Sequence, residues 1–299
     1  MSSARTAQQP GPGSGQGRSS AHPGLFLLAA AVALLGLIGT YLYFVRTTTG
    51  QFIDESAWLE APVVQRRIGD PISHFLDALP MISVLTGSVL VLLITICRRR
   101  WLAGVVAVAM ALGANLSTQL LKASLPERPD RGIQTLDLNS LPSGHSALAA
   151  SAVIAVFLVS SARWRPLVAF IGGSYAIASG VSTLINQWHR PADVVAAYLL
   201  VAAWTALGGW LLLRFDTAHR PEPRLARHWA SSGFWPSLAA VLGIGAALVA
   251  AAALWPLRSG EAQESTVNYF LAGVSLIVIT GYLLCVAGIL LFSSQSRRS

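Results

Sequence analysis

The chain has 299 residues, enough for one large soluble domain or two small ones, yet 54% are hydrophobic and only 11% charged, against about 25% charged in ordinary soluble domains. The net charge of +8 comes from cations too few and too scattered between apolar blocks to form a nucleic-acid-binding groove or stripe. Cys97 and Cys285, the two cysteines, lie in or at the ends of apolar runs, which excludes a disulfide scaffold and a Cys-based zinc cluster and leaves any metal site to His and carboxylate.

Residues 1–24 are rich in Gly, Ser, Gln and Pro without apolar periodicity, which predicts a disordered tail. Leu25 to Val45 is long enough to span a bilayer and lacks an obvious cleavage site, so it reads as a retained membrane helix rather than a signal peptide. Further runs near the spanning length of about 20 residues are Leu79 to Cys97, Trp101 to Leu121, Ser146 to Ala162, Pro166 to Ile185, Val194 to Leu213, Phe234 to Leu257 and Tyr269 to Phe292. Of these spans, Ser146 to Ala162 is the weakest. Lipid offers the backbone no hydrogen-bond partners, so the spanning elements are expected to be helices and the fold class all-α, a polytopic membrane helical bundle.

Cytoplasmic loops collect Lys and Arg. With the N-terminus inside, the cytoplasmic segments hold 13 basic residues and two acids, Asp216 and Glu222, while the other face holds eight basic and eleven acidic residues. Both termini are therefore expected in the cytoplasm, in a multi-pass protein of the plasma membrane. The loops after spans one, three, five and seven then lie outside.

Two of those outer loops carry unusual polar residues. After span three come Lys122, Arg128-Pro129, Arg131 and Pro142-Ser143-Gly144-His145; after span five come Ser182-Thr183 and Trp188-His189-Arg190-Pro191-Ala192-Asp193. Two antiparallel spans separate His145 from His189, so both return to one face. Pro191 suits the first turn of a helix, and His189 and Asp193, four apart, share a helix face. The carboxylate can hold one imidazole nitrogen, fix the tautomer and leave the other nitrogen to attack. His145 opens span four behind Ser143 and Gly144, where helical N–H groups bind phosphate and glycine allows close backbone approach. Lys122 and Arg128 would add charge, Arg in a forked contact. Taken singly, each of these groups is more often solvated, snorkelling or part of a turn. Three polar segments at helix ends on one face are what point to a site.

In this order the motifs Lys-x5-Arg-Pro, Pro-Ser-Gly-His and Ser-x6-His-x3-Asp resemble the type 2 phosphatidic acid phosphatase (PAP2) superfamily of integral membrane lipid phosphatases, over roughly Trp101 to Leu213. The resemblance implies a six-helix core within residues 25–215. A cytoplasmic linker (216–233), two additional C-terminal transmembrane helices (234–292) and a short tail (293–299) would follow. It also implies that His189 is the nucleophile of a phosphohistidine intermediate, Asp193 its orienting partner, and His145 the acid that protonates the leaving alcohol. Lys122, Arg128, Ser143 and the Gly144 N–H would hold the phosphate and stabilise the transition state. This chemistry requires no metal and no other cofactor. The implied partner is a lipid phosphate in the bilayer, such as phosphatidate, phosphatidylglycerol phosphate or a polyprenyl phosphate or diphosphate.

Two positions depart from the family pattern. Five residues rather than six separate Lys122 from Arg128, and Thr183 stands where the third motif has Arg. Arg190 or Arg131 could replace that charge, since a phosphate monoester carries close to two negative charges near neutral pH; alternatively, the site is weak or suits a different phosphate group. Other readings are phosphoryl transfer to an acceptor other than water, and a transporter or catalytically silent PAP2-like membrane protein. Ion-coupled transport is disfavoured because the span interiors are almost free of charge. The last two spans hold no residue assigned to catalysis and read as packing or dimer contact, which leaves room for a homo-oligomer. Arg214, Arg220, Arg224 and Arg227 beside them suit anionic lipids.

Overall fold

A computed structural model describes residues 22–133, 139–216, 228–259 and 267–296. Most of the tail expected at 1–24, residues 217–227 of the expected linker and residues 297–299 of the last tail lie outside the described residues. Within them the helices are α1 (Gly24–Phe44), α2 (Thr48–Ile68), α3 (Asp70–Arg98), α4 (Trp101–Ser124), α5 (Gly144–Val159), α6 (Arg165–Ile185), α7 (Pro191–Phe215), α8 (Phe234–Ser259) and α9 (Asn268–Ser296). A 3-10 turn at Trp229–Ser231 precedes α8.

Seven of these helices, all but α2 and α5, contain stretches long and apolar enough to cross a membrane. The weak span is α5, whose 16 residues rise about 24 Å, less than a full hydrocarbon core of about 30 Å. Outward faces carry exposed Leu28, Leu35, Val105, Leu116, Leu120, Ile244 and Leu248, as a lipid-facing surface requires. The protein is a multi-pass, all-helical membrane bundle.

At its centre α7 packs against α1, α4, α5 and α9. Lipid tails are as apolar as the side chains, so close packing holds such helices together, and Gly209 shows how. A Cβ there would lie 2.4 Å from a Phe26 ring atom and 2.6 Å from Phe292, which brings α1 and α9 against the bare backbone of α7. The last two helices pair with each other, and α9 also leans on α6, α2 and α7. Its helix runs on to Ser296, past the expected end at Phe292 and into the segment read as a tail.

No apolar run announces α2. It follows α1 after a three-residue link, where the Thr47 hydroxyl caps it by accepting from the Gly50 N–H at 3.0 Å. Gly50 is required because a Cβ would sit 2.1 Å from the Tyr43 carbonyl oxygen. The helix is amphipathic in the inverted sense. Its buried stripe contains Gln51, Asp54 and Glu55, whereas Phe52 and Leu59 are exposed. That stripe faces the loop after α4 and the start of α7, where the sequence motifs converge.

Candidate active site

The turn between α6 and α7 presents the first histidine. The Thr183 carbonyl accepts from the N–H groups of Trp188 (2.9 Å) and His189 (3.2 Å), and Gln187 closes the turn with φ of 57°. Thr183 itself is fully buried and its hydroxyl donates to the Gly180 carbonyl at 2.8 Å. The position where the family pattern has Arg thus supports the turn from beneath.

Pro191 begins α7, so Asp193 falls in its first turn, one helical turn beyond His189. His189 Nδ1 lies 3.2 Å from Asp193 Oδ2. A carboxylate only accepts, so this contact favours the imidazole tautomer with the proton on Nδ1 and the lone pair on Nε2. The same Oδ2 accepts from the Ser140 hydroxyl at 2.5 Å and from the Arg190 N–H at 3.1 Å. Asp193 is completely buried and His189 nearly so.

The second motif docks on the third through the backbone, where the Ser143 N–H donates to the Asp193 carbonyl at 2.9 Å. Ser143 is the N-cap of α5. Its hydroxyl accepts from the Ser146 N–H at 3.2 Å and lies 3.0 Å from the Ser146 hydroxyl. Among the described residues, a Cβ on Gly144 would meet only the Gln119 side-chain amide, at 3.6 Å, so they leave the space over this helix start open. His145 is exposed, packs at a tilt of 38° against Trp188 with centroids 4.8 Å apart and lies 6.0 Å from the His189 ring. The two histidines therefore stand side by side, one sheltered and one at the surface.

The cations fall into two groups. Lys122, in the last turn of α4, is half-buried, and Arg131 is exposed on the following loop. Arg128 and Arg190 are buried and each meets a carboxylate from α2: Arg128 Nη2 lies 3.1 Å from Asp54 Oδ2, and Arg190 Nε donates to Glu55 Oε2 at 2.6 Å. Arg190 also donates to the Ser140 hydroxyl at 3.2 Å, with its guanidinium 5.8 Å from the Trp58 ring centroid. Arg128 Nη2 is 4.0 Å from Asp193 Oδ1, while its Nε and Nη1 are buried without a hydrogen-bond partner among the described residues.

Asp54, Glu55, Trp58 and Ser140 were not among the residues expected from sequence. Besides pairing with Arg128, Asp54 accepts from the Ala192 N–H at 2.9 Å, which ties α2 to the first turn of α7. Burial pushes its carboxyl up to about 6; Arg128 opposes that rise and Asp193 adds to it. Trp58 donates its indole N–H to the Gln187 carbonyl at 2.9 Å, bracing the histidine turn. One signal was available: Gln51, Asp54, Glu55 and Trp58 recur at i, i+3, i+4 and i+7, the period of a single helix face.

All three motif segments, the two histidines and the buried carboxylate therefore meet at one end of the bundle. Residues 101–220 match the family model described as the PAP2 superfamily. The chain carries a PAP2 superfamily domain. No curated protein and no solved structure matches the chain. The matched region begins with α4 and takes in the whole of α7, so it holds both histidines, Asp193, Arg128 and Thr183, while α2 with Asp54 and Glu55 lies outside it. The match points to phosphatase activity on phosphate esters.

Proposed function

We propose that the protein is a lipid phosphatase that removes a terminal phosphate through a phosphohistidine on His189, at the extracytoplasmic face, with both termini in the cytoplasm of a plasma-membrane protein. The observation that carries this reading is the buried His189–Asp193 pair beside the exposed His145. Asp193 holds Nδ1–H, so Nε2 attacks phosphorus. As the P–O bond to the lipid breaks, His145 gives its proton to the leaving alkoxide. Water then attacks the phosphohistidine, His145 takes up the proton released, and inorganic phosphate departs with His189 restored.

Helix N–H groups at Gly144, the open space above them, the N–H groups of Arg128 and the charge of Lys122 hold the phosphoryl oxygens and stabilise their growing charge. Ser143 acts by capping the helix that presents Gly144. Arg131, exposed on its loop, is available to an incoming phosphate. Arg190 shares its guanidinium with Glu55 and so contributes less charge than its place beside the nucleophile suggests. Phosphatidate, phosphatidylglycerol phosphate and polyprenyl phosphates or diphosphates all suit a site at helix ends, because their chains stay in the hydrocarbon beside it.

Phosphate release from a panel of these lipids in detergent micelles tests the reading. The wild-type protein is expected to turn over at least one of them with sensitivity to orthovanadate. His189→Ala is expected to release none, and undiminished release by that variant would refute the nucleophile assignment.

A further inference from the structure

Resting on the phosphatase reading above, we infer that Asp54 is a positioning residue of the phosphate site: its carboxylate clamps the Arg128 guanidinium against the start of α7, leaving the remaining N–H groups of that guanidinium for phosphoryl oxygens. Asp54 belongs to α2, outside the segment that matches the family.

Three observations carry this. First, one carboxylate joins two motif segments, with Oδ2 on Arg128 at 3.1 Å and Oδ1 accepting from the Ala192 N–H at 2.9 Å. Residues 128 and 192 are thereby held at a fixed distance across the helix that carries Asp193. Second, a guanidinium has five N–H donors arranged as a fork. Of those on Arg128, Nη2 goes to Asp54 and stands 4.0 Å from Asp193, whereas Nε and Nη1 are buried and unpartnered among the described residues. Buried donors without an acceptor are rare in folded proteins, and an edge left free beside the nucleophile's own carboxylate matches the two-point geometry with which Arg takes phosphate oxygens. Third, Thr183 removes from the site the cation of the third motif, so the orientation of Arg128 carries more of the phosphate recognition. Burial raises the Asp54 carboxyl. The groups that set its charge are Arg128 and Asp193, with the Ala192 N–H.

In this arrangement Asp54 touches neither substrate nor nucleophile; it acts through Arg128. That gives a test which a purely structural role would not satisfy. Orthovanadate affinity, phosphate release from dioleoyl phosphatidate and thermal midpoint are measured on the full chain in micelles. The proteins compared are wild type, Asp54→Asn, Asp54→Glu, Arg128→Ala and the Arg128→Ala double variants. Asp54→Asn is expected to weaken vanadate binding and raise KM about 10-fold or more, with a smaller change in kcat, and Asp54→Glu to recover part of the loss. In the Arg128→Ala background either Asp54 change is expected to cost less than about 2-fold further, because the interaction it acts through is already gone.

If Asp54→Asn does not fold, Asp54→Glu carries the test by itself. It keeps the charge and displaces the carboxylate, so vanadate binding is expected to weaken while the thermal midpoint holds. Vanadate affinity equal to wild type in the folded Asp54 variants, or a full multiplicative loss on top of Arg128→Ala, overturns the proposal while leaving the phosphatase reading standing. A wild-type protein that neither binds vanadate nor releases phosphate from any lipid tested overturns both.

Discussion

The two ends of α7 are built from similar residues to opposite effect. At one end the Arg128–Asp54 ion pair is buried and Asp54 also accepts from the Ala192 N–H of α7; at the other, Arg100, half-buried at the start of α4, pairs with Asp216 at the end of α7. Along the half of α7 that leads to Asp216 the packing is aromatic, with Phe26 and Phe292 against the backbone at Gly209. Phe26 and Phe157 meet Phe292 edge-on, each with centroids 4.9 Å apart, and Arg165 lies over the Phe292 ring at 4.9 Å. Around Asp193 the surroundings are polar: a histidine, a serine and a backbone N–H converge on one carboxylate oxygen, and a second carboxylate stands behind the arginine. Rings at the far end fix where the helices lie; polar contacts at the near end fix where the His189 ring lies.

Mutations should therefore separate the two ends. Asp193→Asn is expected to lower kcat by about 10²–10⁴-fold, the scale on which loss of an orienting carboxylate disarms a histidine, with the thermal midpoint little altered; steady-state phosphate release and a melting curve check it. Replacing His145 with Gln should cost a factor of similar order, about 10²–10⁴, on a lipid with a poor alkoxide leaving group and much less on p-nitrophenyl phosphate, whose leaving group needs no proton. Equal losses on both substrates would remove His145 from the acid role. At the far end, Phe292→Ala is expected to destabilise by about 3–5 kcal/mol while kcat at a permissive temperature stays within about 2-fold. A larger loss of kcat than of stability would show that the ends are not separable.

The smallest expected effect is a pH dependence. Burial raises the folded-state Asp54 carboxyl to about 6 from an ordinary 3.8, so the fold prefers it protonated. Its contribution to stability is present below about pH 4 and fades as pH rises through about 6. Wild-type melting should show this decline between pH 4 and 7, and Asp54→Asn should flatten it.

How much of this was legible in the sequence depended on where the partner of each residue lay. Apolar runs located the spanning helices, and the spacing of His189 and Asp193 was enough for their contact because one turn of one helix joins them. Arg190 looked like a replacement for the missing third-motif cation, yet its guanidinium is engaged by Glu55, 135 residues away, a distance no local pattern reveals. Thr183 looked like a deficit in the site; in the structure it is a buried brace of the turn. The helix α2 is not legible from apolar runs, because its polar stripe points inward. Its stripe was regular, but the side on which its partners stood was set by α4 and α7.

The inverted stripe of α2 also bears on the order of assembly. During synthesis α2 is made directly after the first span, but Asp54 finds Arg128 only 74 residues later and the Ala192 N–H 138 residues later, while Glu60 caps the start of α9, at Phe270, after 210. Until those segments are made, its acids have water or headgroups for partners. These contacts of α2 can therefore form only once the loop after α4, the start of α7 and the start of α9 have each been made.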